Sequence, residues 1–183
     1  MHDDTEQFDV SETVSIVMDV LQFAQERNFL SELAFNERTD SFKFDINCPK
    51  GIISALLVCD ENGYSITSWF FTDLMDPNSD KLRTLKIDEN DHTIMAELTK
   101  FICWGNGPFK LPKLPINGKF VVDYRTGQIN YILSVFSVNQ APSIDTIVQS
   151  LKELRQNWEQ WIDALASIII GKHSAEDALS TYM

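Results

Sequence analysis

The chain has 183 residues, 44% of them hydrophobic, with 12 Phe and 4 Trp. That is enough apolar surface to offset the entropy of ordering, which excludes a disordered protein and favours one domain. Its 27 acidic against 15 basic residues leave a formal charge of -12. Such a surface repels phosphate backbones and anionic lipid, so neither nucleic acid nor membrane is an expected partner.

Residues 1–10 read as an acidic flexible tail and residues 11–183 as a single α+β domain. Ser11 reads as an N-cap, and Val14, Val17, Met18, Leu21 and Ala24 follow at helical spacing to about Arg27. Phe42, Phe44, Ile46 and Cys48 alternate with polar residues, describing a half-buried strand that pairs through Arg38–Ser41 with one over Leu33 to Glu37. Ile52 to Cys59 is apolar on both faces and reads as a central strand. Asp60-Glu61-Asn62-Gly63 then turns the chain into a partner strand, Tyr64 to Phe71. A polar stretch over 72–91 contains at most a short strand near Leu82 to Ile87. A second helix is expected over Thr93 to Cys103, buried through Ile94, Leu98, Phe101 and Ile102. The prolines and glycines of 105–117 make an irregular connection. Phe120–Tyr124 and Gln128–Val138 form a hairpin about Gly127. Ser143 opens a long helix whose stripe includes Ile147, Leu151, Leu154, Trp158, Trp161, Ile162, Leu165, Ile168 and Ile169. Gly171 suits its C′ position, and Ser174 with Asp177 caps a short last helix. The expected order is α-β-β-β-(β)-α-β-β-α-α, with an antiparallel sheet of about five strands flanked by helices.

Candidate chemistry is sparse. Cys48, Cys59 and Cys103 lack C-x-x-C spacing and read as buried, reduced thiols of a cytoplasmic protein. No signal peptide or membrane span is visible. His2, His92 and His173 share no helical face, so no metal site is expected. Asp76-Pro77-Asn78-Ser79-Asp80 opens like a calcium loop, but Lys81 and Ile87 stand where its glycine and bidentate Glu belong. Neither a phosphate-binding glycine loop nor a nucleophile elbow is present. No catalytic residue and no cofactor is assigned. Lys110, Lys113, Lys119 and Arg125 form a locally basic stretch. It reads either as balanced surface charge or as one side of a self-complementary contact.

The informative feature is an excess of apolar side chains. The Tyr64–Phe71 strand places Tyr64, Ile66 and Phe70 on one face, yet Trp69 and Phe71 on the other. The last strand likewise places Ile129, Tyr131, Leu133 and Val135 opposite Ile132, Phe136 and Val138. Either helices cover both faces or one face meets another chain, and three main helices are few for two faces. Trp69, Phe71, Ile132, Phe136 and Val138 are thus the expected partner-binding or dimer face.

The segment Gly118-Lys119-Phe120-Val121-Val122-Asp123-Tyr124-Arg125-Thr126-Gly127-Gln128-Ile129-Asn130-Tyr131 resembles the G-x-F-x-x-D-x-x-x-G-x-I-x-Y hairpin of the YbjN-like family, putative bacterial sensory transduction regulators. Gly171-Lys172-His173-Ser174-Ala175-Glu176-Asp177-Ala178-Leu179 resembles that family's G-x-S-x-E-E-A tail. The likeness covers about residues 94–179. Two departures stand out: Trp158 and Trp161 occur without the family's helix proline, and Gly107–Pro115 widens the gap before the hairpin. The resemblance implies a type III secretion chaperone-like fold and a non-catalytic regulatory or chaperone role in a bacterial cytosol. It also implies a homodimer that holds a client protein. Gly118, Phe120, Asp123, Gly127, Tyr131, Gly171 and Ser174 are structural in that reading. The alternative is an enzyme or small-ligand sensor with a pocket between the sheet and the Trp158/Trp161 helix.

Overall fold

A computed structural model describes residues 10–75, 81–88, 90–106, 118–137 and 140–181. The chain runs α1 (Val10–Glu26), β1 (Glu32–Asn36), β2 (Ser41–Cys48), β3 (Gly51–Asp60), β4 (Gly63–Thr72), β5 (Arg83–Thr84), α2 (His92–Gly105), β6 (Gly118–Asp123), β7 (Gln128–Phe136), α3 (Ile144–Ile169) and α4 (Ala175–Ser180). All strand pairs are antiparallel, in the order β1-β2-β3-β4-β7-β6, with β5 attached to β4. The α+β class holds, but the sheet has seven strands rather than about five. The extra pairing is local: β4 outruns β7 beyond Ser68, and the short β5 takes up the exposed end at Phe71 and Thr72.

Alternation sorts the strands into two faces. Phe42, Phe44, Ile53, Leu57, Ile66, Phe70, Ile129 and Tyr131 point one way and are fully buried. They join one core with Val17 and Leu21 of α1, Leu98 and Phe101 of α2, the α3 stripe, and Ala178 and Leu179 of α4. The expected α3 stripe is buried in full, because its spacing keeps one side of the helix on the sheet. Trp158 meets Phe70 at 5.4 Å and Phe120 at 5.0 Å between ring centroids, and Trp161 meets Phe101 at 4.9 Å. Both tryptophans are core.

Three expectations shift. Ser11 lies inside α1, which already begins at Val10, so it is not the cap. The buried side of α1 is Thr13, Val17, Val20 and Leu21, while Val14, Met18 and Ala24 sit at its margin. Cys103 is exposed, because one helical step past buried Phe101 and Ile102 turns it away from the core. The calcium-like opening at 76–80, His2, the insert Gly107–Pro115, Lys110, Lys113 and Val138 lie outside the described residues.

The motif residues have structural reasons. Gly127 has φ +68°, and a Cβ there would come within 2.1 Å of the Ile87 carbonyl oxygen. A Cβ on Gly118 would lie 2.2 Å from the Tyr131 hydroxyl. Asp123 accepts from the Arg125 and Thr126 side of its own turn, and these bonds hold its carboxyl below the usual range. Gly171, at φ +69°, ends α3, and Ser174 with Asp177 forms a capping box on α4.

Candidate functional site

The face opposite the helices carries Ile52, Leu56 and Val58 of β3, Trp69 and Phe71 of β4, Val121 of β6, and Ile132 and Phe136 of β7. None of these belongs to the core cluster or packs against it. Phe136 is 80% exposed, and Trp69, Phe71 and Ile132 are half-buried by their neighbours on the sheet. Among the described residues no helix covers them. Four of the five residues expected on this face from sequence are therefore brought together there.

Register fixes the arrangement. One row across the sheet reads Ala34, Lys43, Leu56, Thr67, Ile132, Lys119. The next reads Asp45, Ser54, Trp69, and a third reads Asn47, Ile52, Phe71, Thr84. Two carboxylates of the face accept hydrogen bonds: Ser54 Oγ donates to Asp45 at 2.6 Å, and the Asn62 backbone N–H donates to Asp60 at 2.7 Å. The sheet edge at β6 is partly closed. Asn106 Nδ2 donates to the Phe120 carbonyl at 2.6 Å, and its Oδ1 accepts the Phe120 N–H at 3.1 Å. The amide thus imitates a neighbouring strand, which leaves the face rather than that edge as the place to dock.

The covered face holds what sequence reading missed: a polar seam through the apolar core. Ser150, Glu153 and Asn157 share the stripe side of α3 and are buried. Asn157 Nδ2 donates to the Tyr131 hydroxyl at 2.8 Å, which donates to Glu153 at 3.5 Å. Tyr64 and Ser150 hydroxyls lie 2.8 Å apart, and Trp158 Nε1 donates to Ser68 Oγ at 2.9 Å. Burial, the Glu153 charge and the Glu153 hydrogen bond raise the Tyr131 phenol, and burial lifts Tyr64 to about 12. The signal was available: each polar residue precedes a stripe residue, Leu151, Leu154 or Trp158, by one position. Beside the seam an open cleft of about 510 Å³ lies between β7 and α3, with Asp145, Gln149, Ser150 and Glu153 along it.

Burial first, then the Glu159 charge, pushes the Cys48 thiol up to about 12, and burial does the same for Cys59. Both stay protonated at neutral pH and are poor nucleophiles. Among the described residues no group of three or more His, Cys, Asp or Glu side chains is arranged to hold a metal ion, and no helix is long and apolar enough to cross a membrane.

No protein-family model matches the chain, and no curated protein matches it. Among solved structures it is similar to an uncharacterized protein from Methanothermobacter thermautotrophicus. The two are 16% identical, aligned over 84% of this chain and 99% of that one, with a TM-score of 0.46.

Proposed function

We propose that this chain is a non-catalytic protein-binding module, a regulator or chaperone-like protein of a bacterial cytosol, that holds another polypeptide on its open sheet face. The occupant is a second copy of the chain, a client protein, or each in turn. One observation carries the reading: Trp69, Phe71, Ile132 and Phe136 share the face that the helices leave open, spread along it from the β5 end at Phe71 to the Gly63 end at Phe136. Apolar surface of this kind costs free energy in water and marks contact sites. The resemblance of residues 118–131 and 171–179 to the YbjN-like family, and with it a type III secretion chaperone-like fold, points the same way. Protonated thiols, half-buried at Cys48 and buried at Cys59, favour binding over nucleophilic chemistry.

The test is solution mass by light scattering over a range of concentrations at two salt levels, for the wild type and for Trp69→Glu with Phe136→Glu. We expect self-association of the 20.9 kDa chain, and a folded monomer for the double variant. Unfolding of the variant would place those residues in the core and defeat the reading. A second reading has a location: the polar cleft between β7 and α3 suits a small ligand. A wild type that stays monomeric and binds no peptide would move the search for function there.

A further inference from the structure

The sheet has two edges, β1 and β6, and the chain treats them differently. On β6 the Asn106 amide occupies the backbone groups of Phe120. On β1 the outer backbone groups are left over. The Cys59 N–H donates to the Asp40 carbonyl at 3.0 Å, in the β2–β3 register, so even-numbered residues of β2 spend their backbone groups on β3. Ser41, Lys43 and Asp45 therefore turn theirs to Asn36, Ala34 and Glu32, and the Ser31 N–H on the Asp45 carbonyl at 2.9 Å agrees. The N–H and C=O groups of Leu33 and Phe35 then face outward. Among the described residues no hydrogen bond from outside the sheet reaches them.

This edge also lacks common protection, since Glu32–Asn36 holds neither lysine nor proline. Leu33 and Phe35 are half-buried against the core, with Phe35 stacked on Phe42 at 4.7 Å, while Glu32, Ala34 and Asn36 are exposed. The strand complements itself. Laid antiparallel on a second β1 about Ala34, it pairs Leu33 with Phe35 twice, through four hydrogen bonds between the outward groups. The two Ala34 residues meet at the close, non-hydrogen-bonded position, where a small side chain fits. Glu32 faces the Asn36 amide of the second copy, so no like charges oppose each other. The next register that keeps the hydrogen bonds, two residues away, pairs only three of the five.

We propose that β1 is a self-pairing edge, which takes the β1 strand of a second copy antiparallel about a two-fold axis through Ala34. The inference goes beyond the open-face reading and does not depend on it. The axis stands normal to the sheet, so the two open faces look the same way and join into one wider face. Five residue pairs make a contact at the small end of protein interfaces, one that fills at about 0.1–1 mM. The Trp69→Glu, Phe136→Glu variant is therefore a monomer in dilute light scattering and still carries the edge.

The experiment is disulfide capture of the full chain at about 0.5 mM, within that range, with a mild oxidant and intact-mass readout. Cys103→Ser removes the exposed native thiol. Ala34→Cys should cross-link to itself, because Cα atoms about 4.5 Å apart lie within disulfide reach. Glu32→Cys mixed with Asn36→Cys should cross-link to each other roughly tenfold faster than either does to itself. Lys43→Cys, one strand further in, should be as slow as those. Asn36→Asp keeps an acceptor for the Arg38 N–H but sets a carboxylate against Glu32. It should slow Ala34→Cys capture about fivefold at low salt, and Glu32→Gln should restore the rate. All of this should persist with Trp69→Glu and Phe136→Glu present, and circular dichroism melts should stay unchanged. If Ala34→Cys itself lowers the melt, the Glu32→Cys and Asn36→Cys mixture decides. Capture that vanishes with Trp69→Glu and Phe136→Glu would place the contact on the open face, overturning the edge and leaving the face reading standing. Capture as fast at Lys43→Cys as at Ala34→Cys, or none at any β1 position, would overturn the edge outright.

Discussion

The two faces of the sheet are made by the same strands, residue by residue in alternation, and yet they solve opposite problems. On the covered face, Phe42, Phe44, Leu57, Ile66 and Phe70 lose all contact with water, and the polar atoms of the α3 seam enter with partners, although Thr13 Oγ1 on α1 is buried without one. Ser68, Tyr131 and Asn157 are bound into one seam, because an unpaired polar atom at that depth costs about 1–3 kcal/mol. On the open face the large side chains are only partly sheltered, lysines stand free, and carboxylates are tied locally. Apolar content alone therefore does not distinguish a core from a contact surface. What distinguishes them here is which groups were given partners within the chain.

The comparison breaks most sharply on two tryptophans. Trp158→Ala should lower unfolding free energy by about 3–5 kcal/mol, because a buried ring is lost and Phe70, Phe120 and Ser68 are left facing a cavity. Trp69→Ala on the other face should cost no more than about 1.5 kcal/mol, since its burial is partial. Urea unfolding followed by circular dichroism measures both, and equal losses would erase the distinction between the faces.

Alkaline titration sharpens the same contrast. The folded chain holds the Cys48 and Cys59 protons up to about 12, whereas the unfolded chain releases them above roughly 8.5. Between those values the unfolded state binds fewer protons, so this contribution to stability is complete below about pH 8.5 and fades as pH climbs towards 12. Urea midpoints should fall steadily above about pH 9. At pH 8 a thiol reagent should label exposed Cys103 quickly and the other two slowly. Rapid labelling of Cys59 in the folded chain would show that strand β3 opens far more readily than its burial implies.

The smallest effect belongs to the most exposed aromatic. Phe136→Ser should change stability by no more than about 0.5 kcal/mol, as surface substitutions do. The same change should weaken binding to the open face. A loss of stability well above about 1 kcal/mol would show that something within the chain already covers Phe136.

Much of this was legible along the chain. The α3 stripe, the Gly63 and Gly127 turns, the Ser174 cap and the inward residues of β2, β4 and β7 follow from periods of 3.6 and 2 and from the φ values that turns demand. Alternation also named Trp69, Phe71, Ile132 and Phe136 as one set, since residues two apart on a strand must share a face. Three points escaped. Ser11 looked like a cap, but helices extend when the preceding backbone allows, and Val10 already lies in the helix. Cys103 looked buried by residue type, but its angle around α2 decided otherwise. Ser150, Glu153 and Asn157 carry no apolar signal, and are core because Tyr64 and Tyr131 reach them from strands that are distant in sequence.

The sequence by itself determined which residues share a face, where most elements start and stop, and that apolar groups outnumber what one covered face needs. Those are local consequences of backbone geometry and side-chain volume. Tertiary structure decided which face the helices take, that β7 inserts between β4 and β6, and that Lys43 and Lys119 fall in a single row. These depend on pairings between residues far apart in the chain. No local period encodes them, because strand register is set only when the whole sheet closes on its core.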